Sequence, residues 1–332
     1  MISLTLLGWL LYWVDAPQLL AVISTLKPRY IILGCGLQLL TIAMINYQWH
    51  QIARRQGLKI KFFQLLHINL VGTFWETITP AVKAGGEAAK IYLLSSRPGV
   101  GLGRATALTL IQKTFSLSAF LLVNLAGLIY WRLQADLSPQ YMSAMTAGIM
   151  VLLLMVLLLA GVVFFPASAR ILPGKYGRSD KVSGFWAEIQ LARKSTRFQP
   201  GFVLRQFLWS VLIWVLFALK AYLLAWALDI DVGLIAAAVL TCFTYMAGLL
   251  PLLPGGLGTF EGTMMLLGMS LGIAAPLGLA WALALRLVTF WFVFLLSALY
   301  LALSQVYTIF IRANRPADRK AALSPHEPQI LL

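Results

Sequence analysis

The chain has 332 residues, 60% of them hydrophobic and only 11% charged, and a mean hydropathy of +0.84. A soluble domain would carry about 25% charged residues, so a water-soluble fold is excluded. The formal net charge of +15 sits in the gaps between apolar runs, which orients a membrane protein and does not form the basic, aromatic stripe of a nucleic-acid binder.

The runs are continuous and not alternating, which excludes a β-barrel. The composition therefore predicts an all-α polytopic membrane protein with about 6–8 transmembrane helices. The opening MISLTLLGWLLYWVD has no basic n-region or small-residue cleavage site, so a retained first segment is expected and not a signal peptide. Clear crossings follow at 30–49, 105–131, 141–165, 203–228 and 276–304, each about the 20 residues a hydrocarbon core of about 30 Å requires. Cys35 and Cys242 fall inside apolar runs and read as small buried hydrophobes. His50, His67 and His326 are scattered, so neither a metal site nor a cofactor is expected.

Charge sets the orientation. Four gaps (50–61, 83–104, 166–201 and the tail from 305) hold 19 of the 26 basic residues and are assigned to the cytoplasm. The remaining gaps are short and carry Asp136, Asp229 and Asp231. Lys27 and Arg29 fit this scheme poorly, since they would lie outside.

Residues 62–82 are apolar yet lie between two cytoplasmic gaps. About twenty residues cannot cross twice, so a re-entrant hairpin is expected, turning near TFWETITP where Pro80 and the threonines weaken a helix. Residues 232–274 must likewise leave and return to one side, by one hairpin or two full crossings. The cluster PLLPGGLGTFEG at 251–262 favours a broken helix, and broken backbone at membrane depth must be buried in protein or line a cavity. TPAVKAGGEAAK at 79–90 has the same order of proline, Gly-Gly and glutamate, as inverted repeats would. Residues 185–199 place Phe185, Trp186 and Ile189 opposite Arg193, Lys194 and Arg197, the pattern of an interfacial helix. The tail at 312–332 is polar and is expected to be disordered.

Ionisable residues in apolar segments are the candidate functional groups: Glu76, Glu87, Lys113, Lys220, Glu261 and Arg286. Glu261 follows the Pro/Gly break and Arg286 lies ten residues into the last helix. The arginine could hold a lipid phosphate, or the two could form a structural ion pair. Glu87 can pair with Lys83 or Lys90 at helical spacing, while Gly85 and Gly86 could present backbone N–H groups to an anion. The alternative for this stretch is a solvated cap at the cytoplasmic interface. Lys113 and Lys220 are expected to snorkel. Glu76 and Glu261 are candidates for proton coupling. No catalytic triad, P-loop, dinucleotide fingerprint or metal spacing occurs, so no enzymatic activity is expected.

LLPLLPGGLGTFEG, followed by LGMSLGI and ALALRLVTFWF, resembles the C-terminal signature of the lysylphosphatidylglycerol synthase transmembrane-region family of flippase-like membrane proteins. YQWHQIARRQGLKI and ITPAVKAGGEAAKIYLL resemble its N-terminal signature, and together the likeness spans roughly residues 30–305. The resemblance implies substrate contacts at Gly85, Gly86, Glu87, Lys90, Pro251, Pro254, Gly255, Gly256, Gly258, Glu261 and Arg286. Lys90 stands where the family usually has arginine, and lysine cannot make the bidentate grip. Members of the family join this module to a soluble aminoacyl-transfer domain that this sequence lacks. The resemblance implies lipid translocation or a partner role in the cell membrane, and the basic tail is expected to place the C-terminus in the cytoplasm. The substrate would be an anionic, aminoacylated or polyprenyl-phosphate lipid. The alternative is a membrane scaffold for a lipid- or glycan-modifying enzyme, and a homo-oligomer is open.

Overall fold

The computed structural model describes residue 24 and residues 26–79, 84–134, 139–164, 180–249 and 256–313. The opening segment, the tail beyond 313 and the candidates Pro251, Pro254 and Gly255 lie outside the described residues. Each described element is a helix, as hydrocarbon demands of a chain that must satisfy its own backbone. In order they are α1 Pro28–Arg55, α2 Phe62–Ile78, α3 Ala84–Ser95, α4 Leu102–Gln134, α5 Pro139–Phe164, α6 Asp180–Thr196, α7 Pro200–Ala227, α8 Leu234–Ala247, α9 Thr259–Met269, α10 Ala275–Arg286 and α11 Phe292–Ala313. A π-helical turn, Leu287–Trp291, joins α10 to α11. Five stretches are long and apolar enough to cross a membrane: Pro28–Arg55, Leu102–Leu133, Met142–Phe164, Pro200–Ala227 and Ala275–Val306. The protein is a multi-pass helical membrane protein.

The two ends differ in charge. At one end Arg55 donates to Gln199 Oε1 at 2.7 Å, Arg104 to the Gln56 carbonyl at 3.5 Å and Arg193 to the Phe164 carbonyl at 2.8 Å. At the other, Tyr30, Tyr222, Trp226, Asp229 and Asp231 line a shallow cleft. Lys27 and Arg29 flank Tyr30 and so sit at this acidic end, against the charge trend. The interfacial segment is a helix starting at Asp180, and it packs on α4. Its Glu188 accepts the N–H groups of Gly103 and Arg104 at 2.7 and 3.4 Å, capping the first turn of α4.

Between the long helices the chain makes two short antiparallel pairs. α2 and α3 open at the basic end; α2 continues through the threonine run to Ile78 and α3 begins at Ala84, while Pro80 and Lys83 lie outside the described residues. The threonines do not break α2, because the hydroxyls of Thr73, Thr77 and Thr79 donate to carbonyls four residues back at 2.9, 2.9 and 2.8 Å. The returning arm is therefore α3, and the pair extends to Ser95. Glycines set the α2–α3 contact: Gly85 faces Thr79, Gly86 faces Glu76 and the Gly72 carbonyl, and Gly72 faces the Lys90 stem. A Cβ at Gly86 would lie 2.6 Å from the Gly72 oxygen, which is backbone and cannot rotate away. Gly86→Ala should therefore lower stability by about 1–3 kcal/mol, measured by thermal unfolding in detergent; an unchanged midpoint would mean the arms are not in tight contact.

α8 and α9 open at the acidic end. With 14 and 11 residues they run roughly 21 and 17 Å, each shorter than a hydrocarbon core of about 30 Å. Two cores flank the centre. One gathers Trp281, Phe243, Met264 and Phe120 around α8–α10, and the other gathers Trp49, Leu65, Ile68 and Leu108 around α1–α4.

Candidate functional site

The two short pairs meet at a cavity of about 320 Å³, whose walls come from α1, α2, α3, α4, α7, the α8–α9 pair, the end of α10, the π turn and the start of α11. Its charged lining is Glu76, Lys90, Lys113 and Arg286.

The first ion cluster belongs to α3 and α4. Glu87, in the first turn of α3, binds Lys113 at 2.8 Å and Lys90 at 3.2 Å. A carboxylate at a helix N-terminus is favoured by the backbone dipole, and here one carboxylate also holds two ammonium groups. Lys90 is buried and Glu87 partly so, and both face the protein and not open solvent, against the reading of KAGGEAAK as a solvated cap; Lys113 keeps 28% exposure. Lys113 does not snorkel, because Glu87 supplies its charge partner from the neighbouring helix. Lys90 also lies 5.7 Å from the Trp49 ring centroid. Gly85 and Gly86 serve the close approach of α2 and α3 described above.

The second cluster is built on the break. Gly256 and Gly258 have φ of +65° and +83°, conformations that a side chain would strain. Gly256 also backs onto the Gly248 backbone, leaving no room for a Cβ. Glu261, three residues after Gly258, returns one carboxylate oxygen to the Gly258 N–H at 2.7 Å and gives the other to Arg286 Nε at 2.6 Å. Its exposure is 1% and that of Arg286 is 4%. Glu261 is thus a bracket between the break and α10, and Arg286 is the member of the pair that lines the cavity. The guanidinium stacks between Phe260 and Phe290, at 4.9 and 5.1 Å. The π turn that follows it lets Thr289 accept from Tyr245 at 2.9 Å while Phe290 enters the lining.

Sequence reasoning missed the uncharged polar wall. Gln112 donates to Gln48 Oε1 at 3.2 Å and Gln48 to Ser210 Oγ at 2.7 Å. Asn69 donates to Asn46 Oδ1 at 2.9 Å. The signal was present as Gln38, Thr41 and Gln48, buried polar residues on one side of α1 at helical spacing. Lys220 was misjudged as well. It is fully buried, bonded to Gln38 Oε1 and to Thr41 Oγ1 at 3.2 Å, and cannot snorkel.

The sequence comparisons agree on one lineage. The chain is 22% identical over 279 residues to a UPF0104 membrane protein of Methanothermobacter thermautotrophicus, covering 80% of this chain and 82% of that protein. It is 25% identical over 288 residues to a UPF0104 membrane protein of Methanocaldococcus jannaschii, covering 84% and 85%. It is 20% identical over 323 residues to one of Pyrococcus horikoshii, covering 90% and 94%. The family described as the lysylphosphatidylglycerol synthase TM region matches residues 1–297, which takes in both helix pairs, the cavity they form and the two ion clusters. The chain belongs to the lysylphosphatidylglycerol synthase transmembrane-region family.

Proposed function

We propose that this protein is a lipid translocase that passes a polar head group between leaflets through the central cavity while the acyl chains stay in the bilayer. The observation that carries this reading is the meeting of two short helix pairs, opening at opposite ends, on one cavity lined by both signs of charge. Such a site is open in principle from either side, which alternating access requires. At about 320 Å³ the cavity suits a head group and is too small for a whole lipid. Buried ionisable groups in a membrane mark substrate or ion pathways more often than they add stability. The family name adds aminoacylated phosphatidylglycerol to the lipid classes to be tried. The basic end faces the cytoplasm of a cell-membrane protein under this reading, since basic gaps stay inside. The protein acts without an enzymatic step, and Glu76, on the cavity wall, is a group through which protons could be coupled.

The test is leaflet exchange in liposomes of labelled phosphatidylglycerol, aminoacyl-phosphatidylglycerol and a polyprenyl-phosphate lipid, for wild type and Lys113→Gln. Glu87 keeps Lys90 in this variant, so the fold should survive. Head-group-dependent exchange that falls about tenfold in Lys113→Gln is expected, the cost of one contact worth roughly 1.4 kcal/mol in the barrier. Exchange no faster than in empty liposomes, with the protein folded, would overturn the reading in favour of a scaffold for a lipid-modifying enzyme.

A further inference from the structure

Around the cavity, the described residues place four cations and three carboxylates. Glu87 answers Lys90 and Lys113, Glu261 answers Arg286, and Glu76 acts on Lys113. The remaining cation is Lys220. It is fully buried, and its partners are Gln38 Oε1, Thr41 Oγ1 and the face of Phe217 at 3.9 Å. None of these is an anion. A buried charge normally has an opposite charge beside it, because the desolvation cost is otherwise uncompensated.

The chemistry of Gln38 gives this contact a direction. An ammonium only donates, so the amide must turn its oxygen to Lys220. The Thr41 hydroxyl is fixed in the same sense, since its proton goes to the Leu37 carbonyl at 2.8 Å and leaves a lone pair for the lysine. With its oxygen held, Gln38 has only its NH2 group to offer elsewhere, and Gln38 lines the cavity. Phe217 lines the same wall. Lys220 therefore holds the amide oxygen of Gln38 and leaves its NH2 group as the donor that this residue can offer the cavity.

We infer that Gln38, backed by Lys220, is an anion subsite of the cavity, separate from Arg286, and that it takes the phosphodiester of a lipid head group bearing one negative charge. This rests on the cavity accepting a head group and adds the charge that the head group must carry there. In this arrangement Lys220 is a positioning residue and Gln38 makes the contact.

The experiment measures equilibrium binding to purified full-length protein in detergent. The probes are phosphatidylglycerol, its water-soluble head group glycerophosphoglycerol, and a cationic diacyl lipid with a trimethylammonium group and no phosphate. The variants are Gln38→Glu and Lys220→Met, with unfolding midpoints recorded for each. Wild type should prefer phosphatidylglycerol to the cationic lipid. Gln38→Glu keeps an oxygen on Lys220 and so should stay folded, yet it replaces the donor with a carboxylate. Its affinity for phosphatidylglycerol should fall by about tenfold or more, and the preference should turn toward the cationic lipid. Lys220→Met replaces the ammonium with an apolar chain of similar shape and should weaken phosphatidylglycerol binding without reversing the preference. Competition by glycerophosphoglycerol would support a site that reads the phosphate itself; competition by intact lipid alone would support the same site reached only from the bilayer. Equal phosphatidylglycerol affinity in wild type and both folded variants would overturn the subsite, as would a wild type that binds the cationic lipid equally well. Failure of the translocase reading is separable: binding that depends on Gln38 without leaflet exchange removes the transport step and leaves the subsite, and exchange indifferent to Gln38 does the reverse.

Discussion

Glu261→Ala is expected to lower stability by about 3–5 kcal/mol, the usual cost of leaving one member of a buried ion pair without the other. Exposures of 1% and 4% leave Glu261 and Arg286 almost no water to take up the lost interaction. The side chain holds two things, the Arg286 guanidinium and the Gly258 N–H at the start of α9. Glu261→Gln separates them. Glutamine can still accept from Gly258, so it should recover the cap, worth about 1 kcal/mol, and not the charge. Adding Arg286→Met to Glu261→Gln should then restore much of the loss, because no uncompensated charge remains. Equilibrium unfolding in detergent of wild type, Glu261→Ala, Glu261→Gln, Arg286→Met and the double variant checks this. Additive effects of the two substitutions would show that the pair is not coupled, and the bracket between the break and α10 would have to be abandoned.

How much of this was legible in the sequence differs by element. Long apolar helices write themselves plainly, because hydrocarbon leaves the backbone no other choice over about 20 residues. The partnership of Glu261 and Arg286 was also legible, since two ionisable groups in apolar surroundings must meet something. What each does was not. Only the structure shows both oxygens of Glu261 committed, to Gly258 and to Arg286, which leaves the arginine as the group on the cavity wall. Threonine misled the reading of α2, because its propensity penalty is offset when the hydroxyl bonds the preceding turn. Lys220 misled it differently. Eight residues from a helix end a lysine can usually reach water, but the side chain turns inward to Gln38 and Thr41 on α1, a helix some 180 residues away in sequence. Contacts of that range leave no local trace.

The two ion clusters are built alike. In each, the returning arm of a short helix pair carries a glutamate in its first turn, after a pair of glycines or a glycine turn. In each, that glutamate binds a cation supplied by a long membrane-spanning stretch, Lys113 of α4 or Arg286 of Ala275–Val306. The pairs open at opposite ends, and each cluster contributes a cation to the lining of the one cavity. The difference lies in coverage. Both cations line the cavity, but Arg286 is 4% exposed and Lys113 is 28% exposed.

That difference sets the size of the last effect. Glu87→Gln removes the one carboxylate that two lysines share, leaving Lys90 without its ion-pair partner and Lys113 with only the influence of Glu76. The loss should be about 2–3 kcal/mol, smaller than at Glu261, because water in the cavity can solvate the exposed part of Lys113. Lys113→Met in the Glu87→Gln background should be less destabilised than the sum of the single changes, with a coupling of about 1–2 kcal/mol. Lys90→Met should couple more weakly, since its bond to Glu87 is the longer, 3.2 Å against 2.8 Å. Unfolding midpoints of this set, read beside the leaflet-exchange rate, separate holding the fold from handling substrate. A Glu87→Gln protein with wild-type stability would mean that the lysines already find anions elsewhere, and the charge count around the cavity would have to be redrawn. If stability falls as expected while Glu87→Gln/Lys113→Met is folded but does not exchange lipid, the lysine ammonium itself is needed at the cavity wall.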